Sequence, residues 1–217
     1  MFSRTFMKNG VIAVLLHLLI ILPFFAAAQD SIAVNDTLSF RLRMQRFDDN
    51  VMLDIASHRT PKQTKVMLFL SRSLDYGNLG VPAALLIGGV IRNDAQMRQN
   101  ALYVASSTAI TAGTTLLLKT LFKRRRPFIQ NLKIVAVYDP LSTSFPSGHS
   151  SSSFSTATAL SSAYPKWYVV GPAMLWAGSV AYSRAYLGVH YMSDVLFGSS
   201  LGGGTAILMR SIKNKRL

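Results

Sequence analysis

Residues 141–209 read LSTSFPSGHSSSSFSTATALSSAYPKWYVVGPAMLWAGSVAYSRAYLGVHYMSDVLFGSSLGGGTAILM. The only formally charged side chains in this stretch are Lys166, Arg184 and Asp194. A soluble helical bundle of this length needs a charged outer face where its helices meet water. The near absence of charge therefore predicts that the outer face meets lipid and that the chain is an integral-membrane helical bundle.

Two further uncharged runs lie at 76–91 and 99–118. A membrane-spanning helix needs about 20 residues, so flanking polar residues must extend each run. We predict an all-α fold with five spanning helices, at about 64–91, 98–122, 147–164, 167–184 and 191–210. Gly198 and Gly202 have the four-residue spacing of small residues that lets two membrane helices approach closely.

Residues 1–28 have the pattern of a secretory signal peptide. Arg4 and Lys8 precede an apolar run that ends in small residues at Ala28. We predict cleavage after Ala28; the alternative is an uncleaved first transmembrane helix, which would give six spans. Both place residue 30 outside the cytoplasm. Residues 29–63 then form an extracytoplasmic segment, either a helix lying on the membrane surface or a solvated stretch.

Alternation of five spans places most basic residues of the connections on the cytoplasmic side, as the positive-inside rule expects. The stretch KRRRP, residues 123–127, falls on the outer side and breaks this rule. Basic groups that break a topological rule indicate a functional role. The segment 211–217 is predicted to be a basic cytoplasmic tail.

The composition of the chain excludes several kinds of site. The 217 residues carry a formal net charge of +14 and include no cysteine, which excludes disulfides, thiolate zinc sites and cysteine nucleophiles. All nine acidic residues are aspartates, and Asp194 is the only one after Asp139, so no metal or other cofactor is expected. Nucleic acid is not an expected partner, because the basic residues are divided between two membrane faces.

The first of three polar clusters is LLLKTLFKRRRPF, residues 116–128. Lys119 and Arg126 are seven residues apart, so on a continuous helix both point toward one spot near the outer surface. Pro127 is predicted to end that helix. Arg124 and Arg125 are expected to reach lipid head groups.

The second cluster is FPSGHSSSSF, residues 145–154, where a loop leads into the third helix. Ser147 is a suitable N-cap, and the free amides of a helix N-terminus form an anion site. Gly148 lets an oxyanion approach the main chain, and His149 stands beside it as a proton donor. The alternative is that PSG is only a turn and His149 an interfacial side chain.

The third cluster is SRAYLGVHYMSD, residues 183–194. His190 and Asp194 are four residues apart on a predicted helix face, so the carboxylate can hold one imidazole nitrogen and leave the other as a nucleophile. Arg184 supplies a guanidinium for phosphate-like oxygens. Alternating spans place all three clusters on the outer side, which predicts a phosphate pocket with a nucleophile and an acid.

These motifs resemble the type 2 phosphatidic acid phosphatase (PAP2) family, which is related to class A acid phosphatases and vanadium haloperoxidases. The family pattern K-x6-RP, PSGH, SR-x5-H-x3-D is met at every fixed position. The matching residues are Lys119, Arg126, Pro127, Pro146, Ser147, Gly148, His149, Ser183, Arg184, His190 and Asp194.

The resemblance implies a phosphatase domain over residues 64–210 and a role for each matching polar residue. His190 would attack phosphorus and form a phosphohistidine, Asp194 would orient His190, and His149 would protonate the leaving oxygen. The phosphate oxygens would be held by Lys119, Arg126, Arg184, Ser147 and the amide of Gly148.

The predicted function is metal-independent hydrolysis of a lipid phosphate or diphosphate at the outer face of a bacterial-type inner membrane. The candidates are polyprenyl diphosphate, phosphatidic acid, phosphatidylglycerol phosphate and a lipid A phosphate. One alternative is a secreted acid phosphatase acting on soluble phosphomonoesters, against which the low charge of residues 141–209 argues. A vanadate haloperoxidase would share the pocket, and a non-catalytic lipid-binding relative would share the fold.

Overall fold

The computed structural model describes residues 31–214 of the chain. The predicted signal segment, residues 1–28, lies outside these residues. The described part contains seven helices and no β-strand: α1 Ser31–Ser57, α2 Pro61–Ile91, α3 Ala95–Phe122, α4 Pro127–Gln130, α5 Gly148–Ala163, α6 Trp167–Tyr186 and α7 Met192–Asn214. The prediction of an all-α membrane bundle is confirmed, and α2, α3, α5, α6 and α7 correspond to the five predicted spans.

Within residues 31–214, three segments are long and apolar enough to cross a membrane by length and composition: Pro61–Ile91, Ala95–Gln130 and Met192–Ile212. Helices α5 and α6 have 16 and 20 residues and fall outside this group. Helix α5 lies at the centre of the bundle in contact with α2, α3, α6 and α7, and α6 packs mainly against α5 and α2.

Helix α1 occupies most of the segment 29–63. The structure shows a helix over Ser31–Ser57, and its position on a membrane surface stays a prediction. Most of its described side chains are exposed, including Leu38, Phe40 and Leu42. One face is buried, because Met52 packs with Ala181 of α6 and Val195 of α7. Helix α1 is therefore docked against the end of the bundle where α6 joins α7.

Helix α3 ends where the predicted span 98–122 ends and does not continue to Pro127. Its last residue is Phe122, and Lys123 adopts a left-handed conformation with φ of 46° while its amide donates to the Lys119 carbonyl. The prediction that Pro127 ends this helix is wrong, since Pro127 instead begins α4. Arg126 is therefore not on the same helical face as Lys119. Arg126 instead lies at the end of the non-helical connection 123–126, which places its side chain near Lys119.

Hydroxyl groups join α5 to α3 within the bundle. Three pairs lie along the two helices at 2.8 to 3.0 Å: Thr108 with Thr156, Thr111 with Ser155, and Thr115 with Ser151. Each hydroxyl placed in a membrane interior needs a partner, and here each helix supplies the partner for the other. These pairs fix the position of α5 along α3, and His149 lies in the first turn of α5.

Helices α5 and α7 approach closely at the two glycines noted in the sequence. A Cβ atom added to Gly198 would lie 2.6 Å from the Ser147 carbonyl oxygen, and one added to Gly202 would lie 1.9 Å from the Ser151 carbonyl oxygen. Neither position has room for a side chain. The predicted close helix packing is confirmed.

We expect the substitution Gly202→Ala to destabilise the bundle by about 1–3 kcal/mol, because the added methyl group collides with α5 backbone. The matched control is Gly113→Ala on α3, where an added Cβ meets nothing within 4 Å. The control should be neutral or slightly stabilising. Thermal unfolding in detergent, followed by size-exclusion chromatography, measures both variants. Equal melting temperatures would contradict the close packing of α5 and α7.

Candidate active site

His190 lies in the short turn between α6 and α7. Gly188 makes this turn with φ of +78°, and a Cβ added there would lie 2.8 Å from the Val135 carbonyl oxygen. The prediction that His190 and Asp194 share one helix face is wrong, because α7 begins at Met192. The turn nevertheless brings His190 Nδ1 to 3.8 Å from Asp194 Oδ2.

Asp194 is fully buried and its carboxylate is held by several donors. Arg124 donates to Oδ1 at 2.6 Å, and the Tyr191 amide donates to Oδ2 at 3.1 Å. The Ser144 hydroxyl also donates to Oδ2 and lies 3.5 Å from His190 Nδ1. Ser144 therefore stands beside both the carboxylate and the imidazole. These contacts hold the Nδ1 side of His190 and leave Nε2 toward the cationic groups.

The imidazole of His190 is neutral at pH 7. Burial lowers its pKa to about 4, the nearby Asp194 carboxylate opposes this shift, and Arg126 and Arg184 add to it. The nearest polar contact of Nε2 is Arg126 Nη1 at 3.4 Å. A neutral imidazole has a lone pair available for nucleophilic attack.

Arg126 is buried and held by the loop that precedes α5. Its Nε donates to the Ser142 carbonyl at 2.7 Å, and Nη2 donates to the Ser142 hydroxyl at 3.1 Å. Its Nη1 donates to the Val189 carbonyl. The guanidinium is thus fixed in orientation next to His190. Contrary to the prediction, Arg126 lies in the connection after α3 and not on that helix.

Arg184 lies in the last turn of α6 and is 2% exposed. Its Nη1 donates to the Ser71 hydroxyl of α2, and its guanidinium lies over the Tyr138 ring at 5.5 Å. Its Nε is buried without a hydrogen-bond partner. A buried, unpaired guanidinium donor is unfavourable unless a ligand accepts from it.

Lys119 and His149 complete the cluster. Lys119 Nζ donates to the Thr143 carbonyl and, at 3.5 Å, to the Ser144 carbonyl. His149 lies near enough to Lys119, Arg126, Arg184 and His190 for their charges to act on it. Its imidazole forms no hydrogen bond to any residue within 31–214. It is thus free to bond a ligand.

Ser147 and Gly148 begin α5 at the edge of this cluster. The prediction of Ser147 as N-cap is confirmed, since its hydroxyl accepts from the Ser150 amide at 3.4 Å and pairs with the Ser150 hydroxyl at 2.8 Å. Its amide donates to the Asp194 carbonyl at 3.1 Å. A Cβ added to Gly148 would meet only Thr115 Cγ2, at 3.8 Å. The Ser147 hydroxyl is therefore occupied by the cap, and its contact with phosphate stays a prediction.

The prediction that Arg124 reaches lipid head groups is wrong. Arg124 points inward and pairs with two buried carboxylates, Asp48 of α1 at 2.7 Å and Asp194 at 2.6 Å. It also lies 4.0 Å from the centre of the Tyr191 ring. Arg125 is exposed. Neither Asp48 nor Ser144 was identified from the sequence, because neither belongs to a recurring motif or to a recognisable helix face.

The site as a whole carries excess positive charge. Lys119, Arg126 and Arg184 act on one another electrostatically, so they lie close together. The negative charge of Asp194 is already paired with Arg124. Three cations around a neutral imidazole, with one unpaired buried donor, form a site suited to a polyanion such as a phosphoryl group.

The comparison with protein families agrees with this arrangement. Residues 100–217, more than half of the chain, match the family model described as the PAP2 superfamily. The chain belongs to the PAP2 superfamily, as its motifs indicated.

Curated relatives share part of this chain. A decaprenylphosphoryl-5-phosphoribose phosphatase of Mycobacterium tuberculosis is 32% identical over 121 residues, which are 55% of this chain and 64% of that protein. A lipid A 4'-phosphatase of Bacteroides thetaiotaomicron is 37% identical over 71 residues, 33% of this chain and 32% of that protein. The chain thus spans less than two thirds of the length of these relatives.

Solved structures share the fold. A transmembrane PAP2-type phosphatidylglycerolphosphate phosphatase from Bacillus subtilis has a TM-score of 0.63 at 24% identity, covering 95% of this chain and 96% of that one. A bacterial vanadium-dependent iodoperoxidase has a TM-score of 0.62 at 16% identity, covering 76% of this chain and 48% of that one. Both likenesses concern the fold, and they agree with the expected relationship between membrane phosphatases and vanadium haloperoxidases.

Proposed function

We propose that this protein is a metal-independent membrane phosphatase that hydrolyses a lipid phosphate or diphosphate through a phosphohistidine on His190. The observation that carries this proposal is the placement of the buried His190 imidazole, with Ser144 and Asp194 on its Nδ1 side and Arg126 at 3.4 Å from Nε2. Arg126 belongs to the cation cluster that includes Lys119 and Arg184. A nucleophile without its own charge next to fixed positive charge is what attack on a phosphate anion requires.

In the first step, His190 Nε2 attacks phosphorus and forms an N–P bond. The bond between phosphorus and the leaving oxygen breaks, and His149 gives a proton to that oxygen. The lipid leaves as an alcohol, or as a monophosphate when the substrate is a diphosphate. Asp194 stabilises the positive charge that develops on the His190 ring through its position near Nδ1.

In the second step, water attacks the phosphohistidine. His149 accepts a proton from the water, the N–P bond breaks, and inorganic phosphate is released. His149 is thereby protonated again and His190 is restored. The sum of the two steps is hydrolysis of one phosphate ester or anhydride bond.

The cations hold the phosphoryl oxygens throughout both steps. Lys119, Arg126 and Arg184 supply fixed positive charge, and the unpaired Nε of Arg184 is a donor ready for one oxygen. The first amides of α5, at Gly148 and His149, have no partner within the helix and supply further donors. Within the part of the chain that the structure describes, no group of three His, Cys, Asp or Glu side chains could hold a metal ion.

The lipid nature of the substrate is supported by the surroundings of the site and by the relatives. The helices that build the site include three apolar candidate spans. The two curated relatives described above are named as phosphatases of a decaprenyl-linked sugar phosphate and of lipid A. What these substrates share is a phosphate at the polar end of a hydrocarbon anchor, which a site at the level of the head groups can reach.

The limits of the catalytic domain and its orientation belong to the same proposal. We assign residues 64–210 to the phosphatase domain, because α2 contributes Ser71 to the position of Arg184. The site faces the extracytoplasmic side of a bacterial-type inner membrane, and residues 211–217 form a basic tail on the cytoplasmic side. The alternation of spans and the distribution of Lys and Arg support this orientation.

We expect the purified protein in detergent to release phosphate from a lipid substrate in the presence of a chelator. The panel comprises a polyprenyl diphosphate, phosphatidic acid, phosphatidylglycerol phosphate, a lipid A phosphate and a soluble aryl phosphate. Because the positive charges are side chains, the chelator should change the rate less than twofold, about the scatter of such assays.

Each result of this assay has a distinct meaning. Preference for one lipid supports the proposal and identifies the substrate. Activity restricted to the soluble aryl ester would favour an acid phosphatase for soluble monoesters. Loss of activity with the chelator, restored by a divalent cation, would contradict the metal-independent mechanism.

A further inference from the structure

Asp48 of α1 is a buried carboxylate that lies outside the residues matching the family model. Its side chain is 0% exposed although α1 is mostly solvent- or lipid-exposed. Its Oδ1 accepts from the Ser193 amide at 2.9 Å, and its Oδ2 accepts from the Ser193 hydroxyl at 2.5 Å. Oδ2 also accepts from Arg124 at 2.7 Å. A buried charge with this many donors is fixed in place.

Arg124 connects Asp48 to the candidate catalytic carboxylate. Its Nη2 donates to Asp48, and its Nη1 donates to Asp194 Oδ1 at 2.6 Å and to the Ser193 hydroxyl at 2.8 Å. The flat guanidinium also lies against the Tyr191 ring. Since the guanidinium is rigid, fixing one of its edges on Asp48 fixes the other edge on Asp194.

This connection determines which oxygen of Asp194 faces His190. Arg124 occupies Oδ1, so Oδ2 is left for the Ser144 hydroxyl, the Tyr191 amide and the approach of His190 Nδ1. Without Asp48, Arg124 would be free to tilt or to bind both oxygens of Asp194. Asp194 would then lose its fixed orientation toward the imidazole.

The charges of the network also favour the proposed chemistry. Asp48 and Asp194 together carry two negative charges, and Arg124 between them carries one positive charge. The network therefore keeps one net negative charge beside His190. A ring that becomes positive when it bonds to phosphorus is stabilised by that charge.

We propose that Asp48 is a positioning residue for hydrolysis, acting through Arg124 on Asp194, so that α1 is a required part of the active site. This inference rests on the proposed function. It gives residues 31–57 a role in hydrolysis, although none of them belongs to the PAP2 pattern.

The test compares Asp48→Asn with Asp54→Asn in the full chain, using the lipid substrate on which the wild-type protein is most active. Both changes remove one carboxylate from α1, but the Asp54 side chain is 76% exposed and its carboxylate lies 3.8 Å from His58 Nδ1, which is exposed as well. We expect Asp48→Asn to lower kcat about 10- to 100-fold with KM changed less than about twofold. Asp54→Asn should match the wild type.

A double-mutant cycle separates positioning from a merely structural role. If Asp48 acts through Asp194, adding Asp48→Asn to Asp194→Asn should lower kcat little further. Independent effects that multiply would overturn the inference, as would a wild-type kcat in Asp48→Asn. If Asp48→Asn does not fold, Arg124→Lys replaces it, because lysine keeps the charge but cannot bind both carboxylates; full kcat in that variant overturns the inference. An inactive wild-type protein would overturn the proposed function as well.

Discussion

Replacing His190 with alanine is expected to reduce phosphate release to background, a loss of about 10⁴- to 10⁶-fold in kcat. The reason is that the substitution removes the atom that would bond to phosphorus in the proposed mechanism. His190 is buried, with Asp194 and Ser144 beside Nδ1 and Arg126 next to Nε2. The matched control is His58→Ala. His58 follows α1 and its side chain is 77% exposed, so this variant should retain wild-type activity.

The same pair of variants tests the covalent intermediate directly. Wild-type protein mixed with radiolabelled substrate and quenched in alkali should retain labelled phosphate, because phosphohistidine survives base and decomposes in acid. The His58→Ala protein should be labelled equally, and the His190→Ala protein should not be labelled. Label remaining on His190→Ala would assign the nucleophile to another residue.

Replacing His149 with alanine is expected to lower kcat about 10²- to 10⁴-fold on lipid esters, whose alkoxide leaving groups need a proton. The aryloxide of an activated aryl phosphate leaves without a proton. For this substrate, the rate of the attack step should therefore fall about tenfold or less. The ratio of the two losses measures the contribution of the acid. Release of the aryl alcohol in single-turnover experiments isolates this step from the later attack of water.

Equal losses on both substrates would contradict the role of His149 as an acid. A control for general damage to the pocket is Ser152→Ala in the same helix, since the Ser152 hydroxyl forms no hydrogen bond within residues 31–214. That variant should behave as the wild type on both substrates.

The sequence predicted the membrane helices well because their signal is local. Each of α2, α3, α5, α6 and α7 contains a long run of uncharged residues. The cap at Ser147 is indicated by its residue type. The motif residues could also be recognised from the sequence, since they occur in short runs whose spacing is typical of the family. The site was therefore predicted from residues that are close together in the chain.

The parts that sequence analysis missed depend on contacts between distant residues. Asp48 lies 76 residues from Arg124 and 145 from Ser193 in the chain, and no pattern around Asp48 indicates that it is buried. Ser144 is one of many serines. The break in the helix between Lys119 and Arg126 was missed because Lys123 is not a residue type that usually takes a left-handed conformation. By leaving the helix there, the chain can direct both Arg124 and Arg126 inward.

The hydroxyl pairs between α3 and α5 bear on how the protein is assembled in the cell. Nine of the sixteen residues of α5 are serine or threonine, so this segment alone has little tendency to partition from the translocation channel into lipid. Its partners, Thr108, Thr111 and Thr115, belong to a helix that is synthesised before it. We therefore expect α5 to enter the bilayer together with α3 rather than alone, so that assembly of these two helices also places the end of α5 that carries His149.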